Sequence, residues 1–544
     1  MTKDSSFKKV VSGKGKLNLN LFLLAFVIIL FFVNAYNLAL TQRPSIMHQW
    51  RQSDCLSFTK NYYEEGLDFF HPKLHFQANK DGSAISEFPI LNYTVACLWK
   101  IFGEHEFVYK LLEYFIFILS VFFLFNTLLR SNASFLFSLF CVSFFLTSPM
   151  LVYYGFNFIA DVPALSLAII AFCLLYYFYE TKSAKYFYWS LFVSTLAVLI
   201  KASAIMPFAL LLFFSIIDVF NFNRFFKTEK LFTKKIIPLS FIILSILLII
   251  SWYKYAVYYN GDSNNGVFLL TVLPIWEMPE EAIISNFQSL FNILFPVFLN
   301  KPMFFLFLSA VIFVFANLKK LNTFFQFSFV FATLFFVFYI LFFFQVFTVH
   351  DYYLNNLMIL PVITSVCIAH IVFNNEFNWV GNKKFFTAFV IIVIVFNSFY
   401  SAAFFRLRTI RNDSMCSWYP FLSKEEKDYM AFLRWSYSNS TKPLETIIPD
   451  LRKAGIDRKD RVLSIPDESF NITLYLMDQK GLTLSEQRFA DSNLVKRFIL
   501  EENLKYVVVN NPTVKNITSF KLITDNYNFL LKKEHIEVYK RKEL

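Results

Sequence analysis

The stretch LNLFLLAFVIILFFVNAYNLAL (19–40) is followed almost at once by SIMHQWRQSDCLSF (Ser45–Phe58). The first stretch has the ~20 apolar residues that a helix needs to cross the hydrocarbon core of a membrane. The second gathers a His, a Trp, an Arg and an Asp within a short distance along the chain. A polar cluster beside a span predicts a membrane protein with a functional segment near the membrane surface.

The composition favours a polytopic membrane protein over a water-soluble one. Of 544 residues, 56% are hydrophobic and 20% aromatic, with 75 Phe and only 11 Gly, and a soluble domain does not tolerate so much apolar surface. The net charge of +12 does not imply nucleic acid, because membrane proteins gather Lys and Arg in cytoplasmic loops. The six Cys form no CxxC pair, so neither a metal ribbon nor a disulfide framework is indicated.

Apolar runs predict eleven transmembrane helices, the first of them retained rather than cleaved as a signal peptide. Their predicted ranges are 19–40, 107–129, 134–153, 163–180, 187–200, 204–221, 236–256, 303–317, 323–347, 354–373 and 385–403.

The distribution of basic residues predicts the orientation of these spans. Lys and Arg mark the cytoplasmic segments of a membrane protein, and here they alternate with segments that carry few or none. The chain is therefore expected to begin inside with a cytoplasmic tail, 1–18, and to end outside. The predicted inner loops carry Arg130, Lys182, Lys185, Arg224, Lys227, Lys230, Lys234, Lys235, Lys319, Lys320, Lys383 and Lys384, and the tail carries Lys3, Lys8, Lys9, Lys14 and Lys16.

Two long segments fall on the outer side of the transmembrane domain 19–403. The first, 41–106, contains the polar cluster and then EFPILNYTVACLWKIFG (Glu87–Gly103), whose apolar part predicts a helix lying in the interface. The second, 404–544, is charged and polar. In it DRVLSIPD, NITLYLMDQKG and LKYVVVNN predict strands or short helices of an extracytoplasmic α/β domain.

Ionisable residues near the outer ends of the spans are the candidate functional groups. Charges at membrane depth cost about 2.5–3.5 kcal/mol each, so they usually face a cavity or have a function. Each has a simpler explanation as well: a carboxylate can cap a helix, and an isolated Lys can extend to the headgroups. Six of them on one side nevertheless favour a single outer site. They are Asp54, Glu87, Asp161, Lys201, His350 and Asp351.

The order of these motifs resembles a known family. HQWRQSD, then EFP, then LWKIFGEHEFVYKL, ADVPAL, IKASAIMP and HDYYLNNLMILP are similar to bacterial members of the GT-C glycosyltransferase superfamily. The branch is that of protein O-mannosyltransferases and the lipid A aminoarabinose transferase (glycosyltransferase family 39). The similarity covers about residues 17–405, and no single motif is as specific as a metal ribbon.

The resemblance implies a polytopic GT-C fold and an enzyme at the outer face of a bacterial inner membrane. Such an enzyme transfers a sugar, with inversion, from a polyprenyl-phosphate carrier to a glycan, lipid or protein acceptor. Asp54 matches the general base and Asp161 a second acidic residue, while Glu87 matches a position near the carrier phosphate. Phe88 stands where the relatives have Lys, so Arg51 or Lys201 is expected to meet the phosphate.

Further polar and aromatic groups of the matching motifs are candidates for donor and acceptor binding. His48 and Gln52 can bind hydroxyls, Trp50 can stack on a sugar ring, and a divalent metal is possible at Glu87 or His48. His350, Asp351, Tyr352 and Tyr353 complete the set.

A membrane transporter is the main alternative, because intramembrane charges suit one. Transporters, however, tend to have inverted repeats and helices broken by Gly or Pro at the midplane, and neither is evident here. A non-catalytic glycan-binding membrane protein, with 404–544 as the binding domain, is the second alternative.

Overall fold

Apolar helices make up most of the chain. The computed structural model describes residues 13–78, 81–261, 268, 272–348, 350–374, 383–410, 422–500, 502 and 504–542. Parts of the predicted cytoplasmic tail and of the loop 374–384, and residues 411–421 of the predicted outer domain, lie outside the described residues. In chain order the helices are α1 (Gly13–Val33), α2 (Tyr36–Ala39), α3 (Gln49–Glu65), α4 (Ile90–Phe102), α5 (Phe107–Arg130), α6 (Phe135–Leu146), α7 (Pro149–Tyr154), α8 (Asp161–Thr181), α9 (Ala184–Ile200), α10 (Met206–Val219), α11 (Asn223–Phe226), α12 (Ile236–Asn260), α13 (Glu280–Ser289), α14 (Phe295–Phe298), α15 (Lys301–Ala316), α16 (Thr323–Phe342), α17 (Ile359–Asn374), α18 (Lys383–Thr409), α19 (Lys424–Ser440), α20 (Ile448–Lys453), α21 (Ile472–Leu476), α22 (Glu486–Phe489), α23 (Ser492–Leu500) and α24 (Phe520–Asn526).

Six helical segments of the described chain are long and apolar enough to cross a membrane by length and composition. Four further predicted spans coincide with shorter apolar helices, which are α1, α6, α9 and α10. The remaining one, 303–317, falls on α15, which forms with the preceding helical segment a pair bent by 94°. The multi-pass helical class is thus confirmed, and eleven crossings with the N-terminus inside stay a prediction. The six long segments are Phe107–Arg130, Asp161–Thr181, Ile236–Asn260, Thr323–Phe342, Asp351–Asn374 and Lys384–Thr409.

The chain divides into two compact units. The helical unit comprises the described residues of Met1–Leu40, Lys110–Lys254 and Leu270–Arg406. The α/β unit comprises those of Thr41–Tyr109, Tyr255–Leu269 and Leu407–Leu544. The predicted first outer segment and nearly all of the predicted C-terminal domain therefore fall in the same unit, although residues 107–403 separate them in sequence.

The helical unit is built around α8. This helix has 89% of its apolar window buried, and it packs along α9. Aromatic rings fill the space on its other sides: Phe324 of α16 lies 4.8 Å from Tyr179 and 6.0 Å from Phe172, measured between ring centroids. A helix that is apolar all round is stable only when it is enclosed in this way. The charge at its first residue, Asp161, is consequently buried with it.

The α/β unit contains a five-stranded sheet formed by the tail. The strands are β1 (Val462–Ile465), β2 (Gly481–Thr483), β3 (Tyr506–Val509), β4 (Tyr527–Lys533) and β5 (Ile536–Arg541), in the order β2-β1-β3-β5-β4. β1 pairs in parallel with β2 and β3, whereas β5 is antiparallel to both of its neighbours. The three tail motifs contribute β1, α21 with the start of β2, and β3, as the mixture of strands and short helices predicted.

The first segment of the α/β unit adds to the edge of this sheet. The Gly481 N–H donates to the His75 carbonyl at 3.1 Å, and the Gln77 N–H donates to the Gly481 carbonyl at 2.7 Å. Residues 75–77 thus cover the exposed edge of β2, which would otherwise carry unpaired backbone groups. The same segment contains α4, a helix as expected for the apolar part of Glu87–Gly103; its position in the membrane interface stays a prediction.

Gly481 has no room for a side chain, because a Cβ there would lie 1.9 Å from the Val462 carbonyl oxygen and its φ is +152°. Gly481→Ala should therefore separate β1 from β2 and lower the free energy of unfolding by at least about 2 kcal/mol. Gly455→Ala is the matched control: Gly455 also has a positive φ, +78°, but nothing lies within 4 Å of its Cβ position. Melting temperatures in detergent that fall equally for the two variants would contradict this account of the sheet edge.

Candidate active site

The polar stretch that follows the first apolar run folds into the start of α3 rather than into a loop. Ile46 and His48 adopt positive φ angles of +59° and +52°, which cost about 1–2 kcal/mol each outside glycine. The Gln52 side chain stabilises this turn, since its Nε2 donates to the Met47 carbonyl at 2.7 Å and to the Ser45 carbonyl at 3.4 Å. Strained backbone held by buried side chains is common at functional sites.

Asp54 lies inside α3 and is completely buried, so it does not cap a helix. Its Oδ1 accepts a hydrogen bond from Asn471 Nδ2 at 3.0 Å, and its Oδ2 has no hydrogen-bond partner among the described residues. Burial raises the pKa of Asp54 to about 7, although Arg51 and the Asn471 hydrogen bond lower it in part. The carboxyl can therefore both lose and take up a proton near neutral pH.

Arg51 and Glu87 form an ion pair beside Asp54. The Arg51 guanidinium contacts the Glu87 carboxylate, and both side chains are largely buried, with exposures of 7% and 11%. Arg51 lies one turn before Asp54 on α3, and Glu87 precedes Pro89, the residue that caps the start of α4. The EFP stretch thus places the Glu87 carboxylate against Arg51, one of the two alternative cations expected to meet the phosphate.

The remaining candidates in this part of the chain flank the same turn. His48 is buried, and its carbonyl accepts the N–H groups of Arg51 and Gln52 at 3.0 and 3.2 Å. Trp50 is partly exposed. We call His48, Trp50, Arg51, Gln52, Asp54 and Glu87 the α3 cluster; all six belong to the α/β unit.

A second set of candidates meets in the helical unit. Lys201, just after α9, places its Nζ 3.1 Å from both carboxylate oxygens of Asp161. The same ammonium lies over the rings of Tyr352 and Tyr353, 5.4 and 5.2 Å from their centroids. Lys201 is thus engaged with a carboxylate and two rings, rather than extending alone to lipid headgroups. Asp161 is not the N-cap of α8, a position that Ala160 occupies.

The 3₁₀ helix Asp351–Met358 supplies the other members of this set. The Asp351 carboxylate accepts a hydrogen bond from the Tyr154 hydroxyl, and Asp351 is 3% exposed. The His350 ring lies 5.4 Å from that of Tyr352. We call Asp161, Lys201, His350, Asp351, Tyr352 and Tyr353 the α8 cluster; all six belong to the helical unit.

Two partners of these carboxylates could not be predicted from the sequence. Asn471 lies 417 residues from Asp54 and was noticeable only as part of an Asn-X-Thr sequon. Tyr154 is the last residue of α7. Tyr is common in the aromatic belt of a membrane protein, so nothing in the sequence distinguished Tyr154 from other belt residues. In the described part of the chain no group of three or more His, Cys, Asp or Glu side chains is arranged to hold a metal ion.

Residues 86–255, about a third of the chain, match the family model described as dolichyl-phosphate-mannose-protein mannosyltransferase. No curated protein sequence matches the chain. Among solved structures, ArnT from Cupriavidus metallidurans in the apo state aligns over 95% of this chain and 97% of its own, at 10% identity and a TM-score of 0.54. The fold is that of the GT-C membrane glycosyltransferases. The resemblance stated from the sequence motifs is thereby confirmed.

Two further GT-C structures align with this chain at comparable TM-scores and identities. Mycobacterial arabinofuranosyltransferase AftD gives a TM-score of 0.55 at 11% identity over 98% of this chain, which spans only 40% of AftD. The oligosaccharyltransferase of Archaeoglobus fulgidus gives 0.50 at 12% identity, over 93% of this chain and 70% of its own. The region that matches the mannosyltransferase family model contains Glu87, Asp161 and Lys201. Asp54 and His350–Tyr353 lie outside this region.

We expect Asp161 and Lys201 of the α8 cluster to stabilise the helical unit only when both are present. Lys201→Met leaves the buried Asp161 carboxylate without its cation, which should cost about 3–5 kcal/mol of stability, and Asp161→Asn/Lys201→Met should regain most of it. Arg130→Met is the control, because the Arg130–Glu180 pair has side chains 34% and 42% exposed and should be worth less than about 1 kcal/mol. Thermal unfolding in detergent measures all three; an equal loss in the single and double variants would contradict the coupling.

Proposed function

We propose that this protein is a glycosyltransferase that moves one sugar from a polyprenyl-phosphate-linked donor to a hydroxyl of a glycan, lipid or protein acceptor. The GT-C fold supports this proposal, as does the existence of an ArnT structure, of similar fold, bound to undecaprenyl phosphate. The observation that carries the mechanism is the buried Asp54 carboxylate, with one oxygen hydrogen-bonded and the other without a partner in the described chain.

Asp54 acts as the general base in this proposal. The acceptor hydroxyl donates to Asp54 Oδ2 and loses its proton as its oxygen attacks the anomeric carbon. The bond from that carbon to the phosphate oxygen breaks, polyprenyl phosphate leaves, and the configuration inverts. A base with a pKa of about 7 suits this step, because it is ionised in a large fraction of molecules at neutral pH and still basic enough to accept a proton.

The leaving phosphate gains negative charge, and Arg51 or Lys201 is the cation that stabilises it. Each is already engaged with a carboxylate, Arg51 with Glu87 and Lys201 with Asp161. In this proposal Glu87 holds Arg51, or Asp161 holds Lys201, in place before the donor arrives. Asp161 then acts through Lys201 and not as a second base. The proposed chemistry requires no divalent metal at Glu87 or His48, the two candidate positions.

The remaining candidates bind sugar. His48 and Trp50 at the start of α3, and His350 with Tyr352 and Tyr353 in the α8 cluster, offer hydrogen-bonding groups and ring faces of the kind that bind carbohydrates. The distribution of basic residues supports a position of these clusters at the outer face of the membrane, which we propose is a bacterial inner membrane. The partners are the lipid-linked donor, the acceptor and the bilayer, without nucleic acid.

Asp54→Asn removes the base and keeps the size of the side chain, so transfer should fall by at least about 100-fold. Asp525→Asn is the control, because Asp525 is an exposed carboxylate of the same unit. The measurement is loss of label from a pool of radiolabelled polyprenyl-phosphate sugars in membranes that contain each variant at equal, chromatographically intact levels. Equal transfer by wild type and Asp54→Asn would remove Asp54 from the chemistry. Consumption of no prenyl-linked sugar by the wild type would favour the transporter.

The rate should depend on pH through Asp54. Because the base must be ionised, kcat/KM should rise as the pH increases through about 7. Arg51 lowers the pKa of Asp54 and Glu87 raises it, so Arg51→Met should move the midpoint to higher pH and Glu87→Gln to lower pH. Transfer rates measured between about pH 5.5 and 9 test the sign. Shifts in the same direction would contradict the assignment.

A further inference from the structure

A tight turn of the tail, between β1 and α21, reaches α3. The Asp467 carboxylate organises this turn: Oδ1 accepts from the Ser469 N–H at 2.8 Å and hydroxyl at 2.6 Å, and Oδ2 accepts from the Thr473 N–H at 2.9 Å and hydroxyl at 2.7 Å. Four hydrogen bonds to one carboxylate fix the backbone on both sides of Asn471. The amide of Asn471 is therefore presented in one orientation.

Asn471 is completely buried and directs its Nδ2 to Asp54 Oδ1 at 3.0 Å. The helix that follows it, α21, packs against α3. Both residues lie in the α/β unit. A side chain from the tail thus donates to the carboxylate assigned as the base, and does so where no solvent reaches.

Independent contacts hold the tail to α3 around this hydrogen bond. Asp478, two residues after α21, lies 3.2 Å from Lys60 Nζ on α3, 2.9 Å from Arg458 Nε and 3.5 Å from His75 Nε2. Burial raises the pKa of Asp478, but the His75 hydrogen bond and the charges of Lys60 and Arg458 hold it well below its usual range, so the carboxylate is ionised at neutral pH. The tail after α21 is thus held to α3 through Lys60 and, through β2, to residues 75–77 of the segment that follows α3.

We propose that Asn471 is a positioning residue for Asp54: its amide holds Oδ1 and so directs the lone pairs of Oδ2 toward the acceptor hydroxyl. The tail is thereby part of the active site and not a separate binding domain. This inference rests on the proposed function. Asn471 stays neutral throughout, because the proton of the acceptor goes to Asp54 Oδ2 and the Asn471 amide only donates to Oδ1.

An amide is a suitable donor at this position. The charged groups acting on Asp54 are Arg51, which favours its ionisation, and Asp467 and Glu87, which oppose it. A cation in place of Asn471 would pair with Asp54 and hold its pKa too low for a base. An apolar residue would donate no hydrogen bond to the buried carboxylate. The pKa of Asp54 would then be higher, and the group would stay protonated at neutral pH. The amide gives a hydrogen bond without a full charge.

The test compares Asn471→Leu, which is similar in size but has no donor, with Asn528→Leu as the control, because Asn528 is exposed on β4 of the same sheet. Without the donor the pKa of Asp54 should rise. The midpoint of kcat/KM should then move to higher pH, with a loss of about tenfold or more at neutral pH that diminishes at alkaline pH, while KM changes little. A purely structural Asn471 would lower the rate at all pH values and leave the midpoint in place, which overturns the proposal.

A second measurement does not depend on activity. Burial raises the pKa of Asp54 from 3.8 to about 7 on folding, so its ionisation costs stability progressively as the pH rises from about 4 to about 7. The melting temperature of the wild type should fall relative to Asp54→Asn across this window. In Asn471→Leu the fall should continue to higher pH, and in the double variant it should vanish.

The two measurements separate the two proposals. A wild type that consumes no prenyl-linked sugar defeats the proposed function, and the melting curves still decide whether Asn471 acts on Asp54. A pH dependence of melting that is identical in Asn471→Leu and wild type defeats the inference even when transfer is observed. Asn471→Ala provides a second donorless variant for the same comparison.

Discussion

The structure of the α/β unit depends on the cost of burying one carboxylate. An ionised carboxylate removed from water without partners is so unfavourable that it takes up a proton instead. Asp54 is fully buried, yet Arg51 and the Asn471 amide recover part of the lost solvation and leave its pKa at about 7. The strained turn at Ile46 and His48 positions α3, and the turn organised by Asp467 positions Asn471. Both turns are explained by the need to hold two groups against one carboxylate.

In the helical unit, the buried carboxylate is paired with a cation. There Asp161 and Lys201 lie 3.1 Å apart, and the two rings of Tyr352 and Tyr353 face the ammonium. In a low-dielectric surrounding such a pair is nearly neutral as seen from a distance, so the helices can enclose it without a net buried charge. Arg51 and Glu87 follow the same rule in the other unit. In the proposed reaction the phosphate must share its cation, Arg51 or Lys201, with the carboxylate already paired with that cation.

The helical class and the candidate carboxylates could be predicted from the sequence, because both follow from large local free-energy costs. Long apolar runs have few structures other than a membrane span, and charges beside them are expensive enough to need a reason. The stretch His48–Asp54 has no apolar periodicity that predicts a helix, yet Gln49–Glu65 is helical, and α3 packs against α4 and α21 of the same unit. Asn471 and Tyr154 could not be found, since each is an ordinary residue until the fold brings it to a carboxylate far away in sequence.

The contact between the tail and α3 has a consequence for how such a chain can vary. A domain that only binds an acceptor can be replaced while the chemistry is retained, because its energy of interaction is separate from that of the base. Here the tail supplies a donor to Asp54, a neighbouring strand edge to residues 75–77 and a carboxylate to Lys60. Replacing it would expose β-edge backbone, leave Lys60 with fewer partners and shift the pKa of Asp54 at the same time. The tail and the first segment of the α/β unit are therefore constrained to change together, even though the helical unit separates them along the chain.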